Sequence, residues 1–87
     1  MIDRNDDRRT AELAQQVRAR RRTLGLRQEE VAELAGCSER FVYSLEQGKT
    51  TVQLGKVLDV LRVLGLGLEL VPGQGTITTT NRTRPSP

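Results

Sequence analysis

Four glycines, at positions 25, 36, 48 and 65, each follow a short segment of apolar residues. Glycine adopts the left-handed backbone conformation that commonly ends a helix, so each of these positions is a natural helix stop. Within the segments, apolar residues recur at three- and four-residue spacing, as on one face of an amphipathic helix. The pattern predicts an all-α fold of four short helices, over residues 10–24, 28–35, 39–47 and 54–64.

The apolar spacing also predicts which side chains form the core. Helix three offers Val42 and Leu45 as its inward face, and Ser38 precedes that helix as its N-terminal cap. The other helices contribute the residues at matching positions of their own stripes. The expected core therefore also contains Leu13, Val17, Leu24, Val31, Leu34, Ala35, Leu54, Val57, Leu58, Leu61 and Leu64.

After Gly65 the apolar period changes from 3.6 to 2, which is typical of a β-strand. Leu66, Leu68 and Leu70 alternate with other residues until Pro72 ends the run. A single strand cannot satisfy its own backbone hydrogen bonds, so we expect it to pair with the same strand of a second copy. These three leucines are the predicted dimerisation residues of a homodimer.

Composition at the two ends predicts the domain limits. Residues 1–9 are polar with balanced charge, and residues 72–87 are rich in Thr, Pro and Gly without apolar periodicity. Neither segment has an apolar face to bury. Residues 1–9 are therefore predicted to be a disordered arm, and residues 72–87 a disordered tail. The folded domain is expected to span residues 10–71.

The scarcity of reactive side chains excludes several classes of protein. The chain has 87 residues, one cysteine and no histidine, so no disulfide and no Cys/His zinc cluster can form. Histidine is also the usual general base of nucleophilic enzymes, and we therefore expect no catalytic activity, no cofactor and no metal. The charged N-terminus and the lack of a long apolar run predict a cytoplasmic protein. Self-association is the stabilising device that remains open to so small a domain.

The charged residues indicate an anionic partner. Basic residues outnumber acidic ones by 14 to 11, and twelve of the basic residues are arginine, whose planar fork suits phosphate and base edges. The chain has two aromatic residues, Phe41 and Tyr43, which are too few to stack single-stranded bases. Duplex DNA is the expected partner.

Two short helices joined by a Gly-containing turn and flanked by arginines form a helix-turn-helix arrangement. The stretch RRRTLGLRQEEVAELAGCSERFVYSLEQGKTTVQLGKVLDVLRVLGLGLEL resembles the Xre or lambda-repressor-like helix-turn-helix family, and within it the HipB-like antitoxins. The resemblance covers residues 11–71. It implies a repressor of its own promoter that binds a HipA-like serine/threonine kinase toxin.

The resemblance also implies roles for particular residues. It implies that Gln28 contacts a phosphate and supports helix three, and that Arg21 and Glu46 form a largely buried ion pair. Because Val42 and Leu45 point inward, positions 39, 40, 43 and 44 of helix three largely face outward independently of any resemblance. The predicted DNA contacts are Gln28, Ser38, Glu39, Arg40, Tyr43 and Ser44, together with Arg27 and Lys49.

Some of these assignments have alternatives. Arg40 is the expected base reader, because a guanidinium can bond the O6 and N7 atoms of guanine together, but a solvated helix face is the simpler reading. Glu39 either accepts from a cytosine amino group or pairs within the protein. Arg27 stands where the family commonly has a Ser or Thr cap, and it either weakens the cap or contacts a phosphate. The cluster Arg18, Arg20, Arg21, Arg22 and Arg27 is either a DNA-backbone clamp or a solvated face.

Two other functions fit the same fold. One is a solitary phage-type or restriction-control regulator without a toxin partner. The other is an adaptor that binds only protein, against which the outward Arg40 and the arginine cluster argue.

Overall fold

The computed structural model describes residues 5–80, and within them the chain forms four α-helices. The all-α prediction is therefore confirmed, and the limits of the second and fourth helices match the expected ones. No described helix is both long and apolar enough to cross a membrane. The helices are α1 (Asn5–Thr23), α2 (Gln28–Ala35), α3 (Glu39–Glu46) and α4 (Leu54–Leu64).

The core lies where α2 packs against α3 and α4, with α1 closing it from the other side. Val42 and Leu45 are buried, as the pattern of helix three predicts. Val60, which lies outside the expected stripe of helix four, is also fully buried. The largest side chains with almost no exposure are Val17, Val31, Val42, Leu45, Val60, Leu61 and Leu64.

Four leucines expected in the core are exposed, which corrects the predicted stripes. Leu34 and Leu58 each lie about 110° from the centre of the buried arc of their own helix, and they are 63% and 45% exposed. Leu54 is the first residue of α4, and Leu24 follows the last residue of α1. Both lie at an end of their helix and are exposed, at 63% for Leu54 and 45% for Leu24.

The helix ends follow the local sequence rules in most places. Gly25, Gly36 and Gly65 adopt the left-handed conformation, with φ values of 72°, 75° and 72°. At the start of α3 the Ser38 hydroxyl accepts a hydrogen bond from the backbone N–H of Phe41 at 3.1 Å, so the predicted cap is confirmed. These caps fix the turn between α2 and α3, which residues 36–38 form.

The strand prediction fails in the single chain. Residues 66–71 adopt no regular secondary structure, and no strand occurs within residues 5–80. Leu66 packs partly against the core, whereas Leu68 and Leu70 are 47% and 99% exposed. A strand requires a second strand to hydrogen-bond with, and the described residues supply none.

The segments expected to be disordered are partly ordered where the structure describes them. Helix α1 begins at Asn5, five residues before the expected start. Ile77 donates its backbone N–H to the carbonyl of Arg9 at 3.2 Å and packs partly against the core, while Thr79 donates two hydrogen bonds to the Glu12 carboxylate. A single apolar side chain and several backbone groups hold this tail segment, which is why no periodicity predicts it. Residues 1–4 and 81–87 lie outside the described residues.

Candidate nucleic-acid interface

Helix α3 presents two faces of opposite character. Its inward face contains Val42, Leu45 and Glu46, all buried. On its outward face Glu39, Arg40 and Tyr43 are exposed, while Ser44 is half-buried. One side of α3 is therefore buried, and the other side is a continuous polar surface.

Five of the predicted DNA-contact residues line one open groove on this surface. We call it the first groove, and its lining residues are Gln28, Glu39, Arg40, Tyr43 and Ser44. It lies between the start of α2 and the outward face of α3. The groove collects a guanidinium, a carboxylate, an amide and two hydroxyl groups, which together match both the donors and the acceptors of base edges.

Among residues 5–80, the charged groups of the first groove have no ion-pair partner. Within the described residues, neither Arg40 nor Glu39 takes part in a salt bridge. Of the two alternatives for Glu39, an intramolecular pair is therefore not found among those residues. Both side chains keep their hydrogen-bonding capacity for an outside ligand.

The remaining predicted contacts lie elsewhere. Ser38 and Lys49 line a neighbouring groove instead of the first one. Arg27 precedes α2, is 73% exposed at its side chain and lies 3.6 Å from Glu29 and 3.5 Å from Glu30. Its backbone N–H donates to Glu30 at 2.8 Å, and this hydrogen bond is the main reason that the pKa of the Glu30 carboxyl lies below its ordinary value.

Behind the first groove, Glu46 receives three hydrogen bonds that fix α3 to the rest of the domain. Arg21 donates two of them, from Nε to Oε2 at 2.6 Å and from Nη2 to Oε1 at 2.9 Å. The Gln28 amide donates the third to Oε1 at 3.1 Å. The ion pair that the resemblance implies is thus present, with side-chain exposures of 13% for Arg21 and 2% for Glu46.

This buried cluster perturbs the ionisation of both partners. Burial raises the pKa of the Glu46 carboxyl, but the hydrogen bonds from Arg21 and Gln28 and the charge of Arg21 outweigh burial, so the pKa lies below its ordinary value. The hydrogen bond to Glu46 raises the pKa of Arg21. Glu46 is therefore ionised at neutral pH, and Gln28 uses one amide hydrogen on it while lining the first groove.

The other arginines of the cluster differ in their surroundings. Arg20 donates from Nε to the carbonyl of Leu64 at 2.8 Å and thereby joins α1 to the end of α4. The sequence hints at this structural role, because Arg20 lies beside the apolar stripe of α1. Arg18 and Arg22 are exposed. The cluster is therefore not one uniform basic face.

No group of three or more potential metal ligands lies together within residues 5–80.

Most of the chain is similar in sequence to known proteins. Residues 12–72 match the family model described as a helix-turn-helix domain. A protein of Sinorhizobium fredii (strain NBRC 101917 / NGR234), described as the uncharacterized HTH-type transcriptional regulator y4mF, is 46% identical over 65 residues, which cover 74% of this chain and 86% of that protein. The α2–turn–α3 geometry and these two matches together show that the chain belongs to the helix-turn-helix domain family.

Proposed function

We propose that this protein binds a specific duplex DNA sequence and regulates transcription as a repressor. The observation that carries the proposal is the first groove, where Arg40 and Glu39 are exposed and have no ion-pair partner within the described part of the chain. They lie on α3, which the hydrogen bonds of Glu46 join to the rest of the domain. A helix with such a face can enter the major groove, where base pairs show distinct donors and acceptors. Membership of the helix-turn-helix family and the regulator from Sinorhizobium fredii support this class of function.

Within this proposal, Arg40 bonds a guanine and Glu39 accepts from the amino group of a cytosine. Ser38, Tyr43 and Ser44 supply hydroxyl groups to bases or phosphates. Three further residues are proposed as DNA-backbone contacts, namely Arg27, Gln28 and Lys49.

Selection from a random-sequence duplex library tests this proposal. The wild-type protein should enrich one sequence motif, and Arg40→Ala should enrich the same motif with one base pair relaxed, since a bidentate arginine contributes about 1–3 kcal/mol of discrimination. Arg62→Ala is the matched control, because Arg62 is exposed on α4 and does not line the first groove. Absence of any enriched motif for the wild type contradicts the function, and an unchanged motif for Arg40→Ala contradicts the role of that residue.

We further propose that the protein binds DNA as a homodimer. The exposed Leu68 and Leu70 beside the partly packed Leu66 are the residues that would pair with the same segment of a second copy. A two-fold dimer presents two recognition helices to half-sites about 34 Å apart, so the motif should be palindromic. Truncation before Leu66 should give monomers by sedimentation, whereas a surviving dimer places the interface elsewhere.

The finer proposal is that this repressor is the antitoxin of a HipA-like serine/threonine kinase. It rests on the resemblance of the LGLGLEL run to HipB-like proteins. Co-expression with the product of the adjacent gene tests it: we expect a stable complex that binds the promoter of the operon more tightly than the dimer alone does. If neither neighbouring gene product forms a complex, the protein is a solitary phage-type or restriction-control regulator, and the DNA-binding proposal stands.

A further inference from the structure

A second groove lies beside the first and has a different charge. Its lining includes Ser38, Arg40, Phe41, Ser44, Lys49 and Lys56, from α3, the following loop and the first turn of α4. Arg40 and Ser44 line both grooves, so the two form a continuous surface. One ligand can therefore contact the residues of both grooves.

The charged residues that line the two grooves differ. The first groove contains the carboxylate of Glu39 beside one arginine. The second groove is lined by three cations, Arg40, Lys49 and Lys56, and by no acidic residue of the part of the chain that the structure describes. A carboxylate repels phosphate and can accept from a base, whereas cations and hydroxyl groups favour phosphate oxygens.

Lys56 lies in this groove near the Phe41 ring and forms no described ion pair. Its Nζ atom lies 5.9 Å from the centre of the Phe41 ring, at the outer limit of a cation–π contact. The nearest acid along α4, Asp59, lies 3.5 Å from Arg62, and no described carboxylate is within ion-pair distance of Lys56. The ammonium group thus has no described carboxylate partner, and its hydrogen atoms are available to an anion.

We propose that the second groove binds a phosphate of the DNA backbone while the first groove contacts base edges, and that Lys56 is a phosphate contact. This inference rests on the proposed DNA-binding function and assigns a residue of α4 to it. Because Arg40 and Ser44 belong to both grooves, a phosphate bound in the second groove fixes the position of the base reader in the first.

The salt dependence of binding measures this contact without knowledge of the operator. Neutralising one phosphate changes the slope of log K against log salt by about 0.9. With a labelled mixed-sequence duplex of about 20 base pairs, long enough for two half-sites, Lys56→Gln should therefore lower the magnitude of the slope by about 0.9 for each bound protomer, which is about 1.8 for the proposed dimer. Losing the counterion release of one such contact corresponds to about an eightfold loss of affinity for each protomer at about 0.1 M salt.

Three further variants make the result specific. Lys56→Arg should restore the slope, and Lys56→Met, which keeps an apolar stem against Phe41, should lower it as Lys56→Gln does. Arg62→Gln is the matched control, because it removes the same charge from an exposed position of α4 outside the groove. Circular dichroism checks that each variant is folded.

Three results overturn the inference while leaving the proposed function intact. The first is a wild-type slope for Lys56→Gln. The second is an equal loss for Arg62→Gln, which shows an effect of net charge alone. The third is a loss that differs between two duplexes of different sequence, which assigns Lys56 to base contact. If the wild-type protein shows no salt-dependent binding to either duplex, the proposed function itself fails.

Discussion

The buried pair of Arg21 and Glu46 gives the most direct test of how this domain is held together. Arg21→Ala leaves the Glu46 carboxylate, whose side chain is 2% exposed, with the amide of Gln28 as its remaining side-chain donor. Stranding one member of a buried pair costs about 3–5 kcal/mol. At about 0.05–0.15 kcal/mol per residue, a chain of 87 residues has a total stability of about 4–13 kcal/mol. The substitution therefore removes a large part of the free energy of unfolding.

Glu46→Ala should destabilise the domain less than Arg21→Ala does. The arginine left behind still donates from Nη1 to the carbonyl of Leu26 at 2.9 Å, and its side chain is 13% exposed, so water reaches part of it. Arg22→Ala is the matched control, because Arg22 is the exposed next residue of the same helix. Urea denaturation followed by circular dichroism measures all three variants. Equal midpoints for Arg21→Ala and Arg22→Ala would refute the reasoning.

The same pair predicts how stability depends on pH. The pKa of Glu46 is lowered in the folded protein from an ordinary value of 4.5, so the unfolded chain binds a proton at a higher pH than the folded one. The stabilisation is present above about pH 4.5 and is lost as the pH falls through the folded pKa. Glu46→Gln should remove this component of the acid unfolding profile, and an unchanged acid limb would contradict the assignment.

Two further predictions concern local contacts. Arg27→Ser should stabilise the domain by about 1 kcal/mol, because Arg27 makes no side-chain cap hydrogen bond at the start of α2 and serine can make one; an unchanged or lower urea midpoint would show that the ion pairs of Arg27 matter more. Thr79→Val should increase hydrogen exchange in the first turns of α1, because it removes a 2.9 Å hydrogen bond to Glu12. Thr78→Val, at an exposed neighbouring position, should not increase that exchange, and equal exchange in the two variants would show that the tail does not hold α1.

Local rules predict the helices well because each has its own signal. The apolar period and the glycine stops lie within a few residues of each element, and Ser38 caps α3 from its own position. The buried arc of a short helix is harder to predict. Leu34 is exposed although it is expected in the core, and Val60 is buried although it is not expected there. Which side of an apolar stripe is covered depends on how neighbouring helices cross it, and the residue spacing of one helix does not determine that crossing geometry.

Long-range contacts of single residues escape the sequence pattern almost entirely. The tail is held through Ile77 and Thr79, about 67 residues from their partners on α1, and no periodic signal marks them. Lys56 enters the second groove because the loop after α3 returns α4 to the side of Phe41. By contrast, the first groove is largely predictable, since the inward face of α3 determines its outward one.

Within its eight residues, helix α3 contains both an anchoring residue and the residues proposed to recognise DNA. Glu46 is buried and has three hydrogen bonds from its neighbours, whereas Glu39, seven residues earlier on the same helix, is exposed without an ion pair among the described residues. Removal of an exposed, unpaired side chain leaves no stranded charge, so its cost to folding is small. Substitutions at Glu39 and Arg40 should therefore change sequence preference while the domain stays folded, and substitutions at Glu46 should do the reverse. The residues proposed to determine DNA sequence preference can thus be substituted at little cost to stability, whereas the residues that anchor α3 cannot.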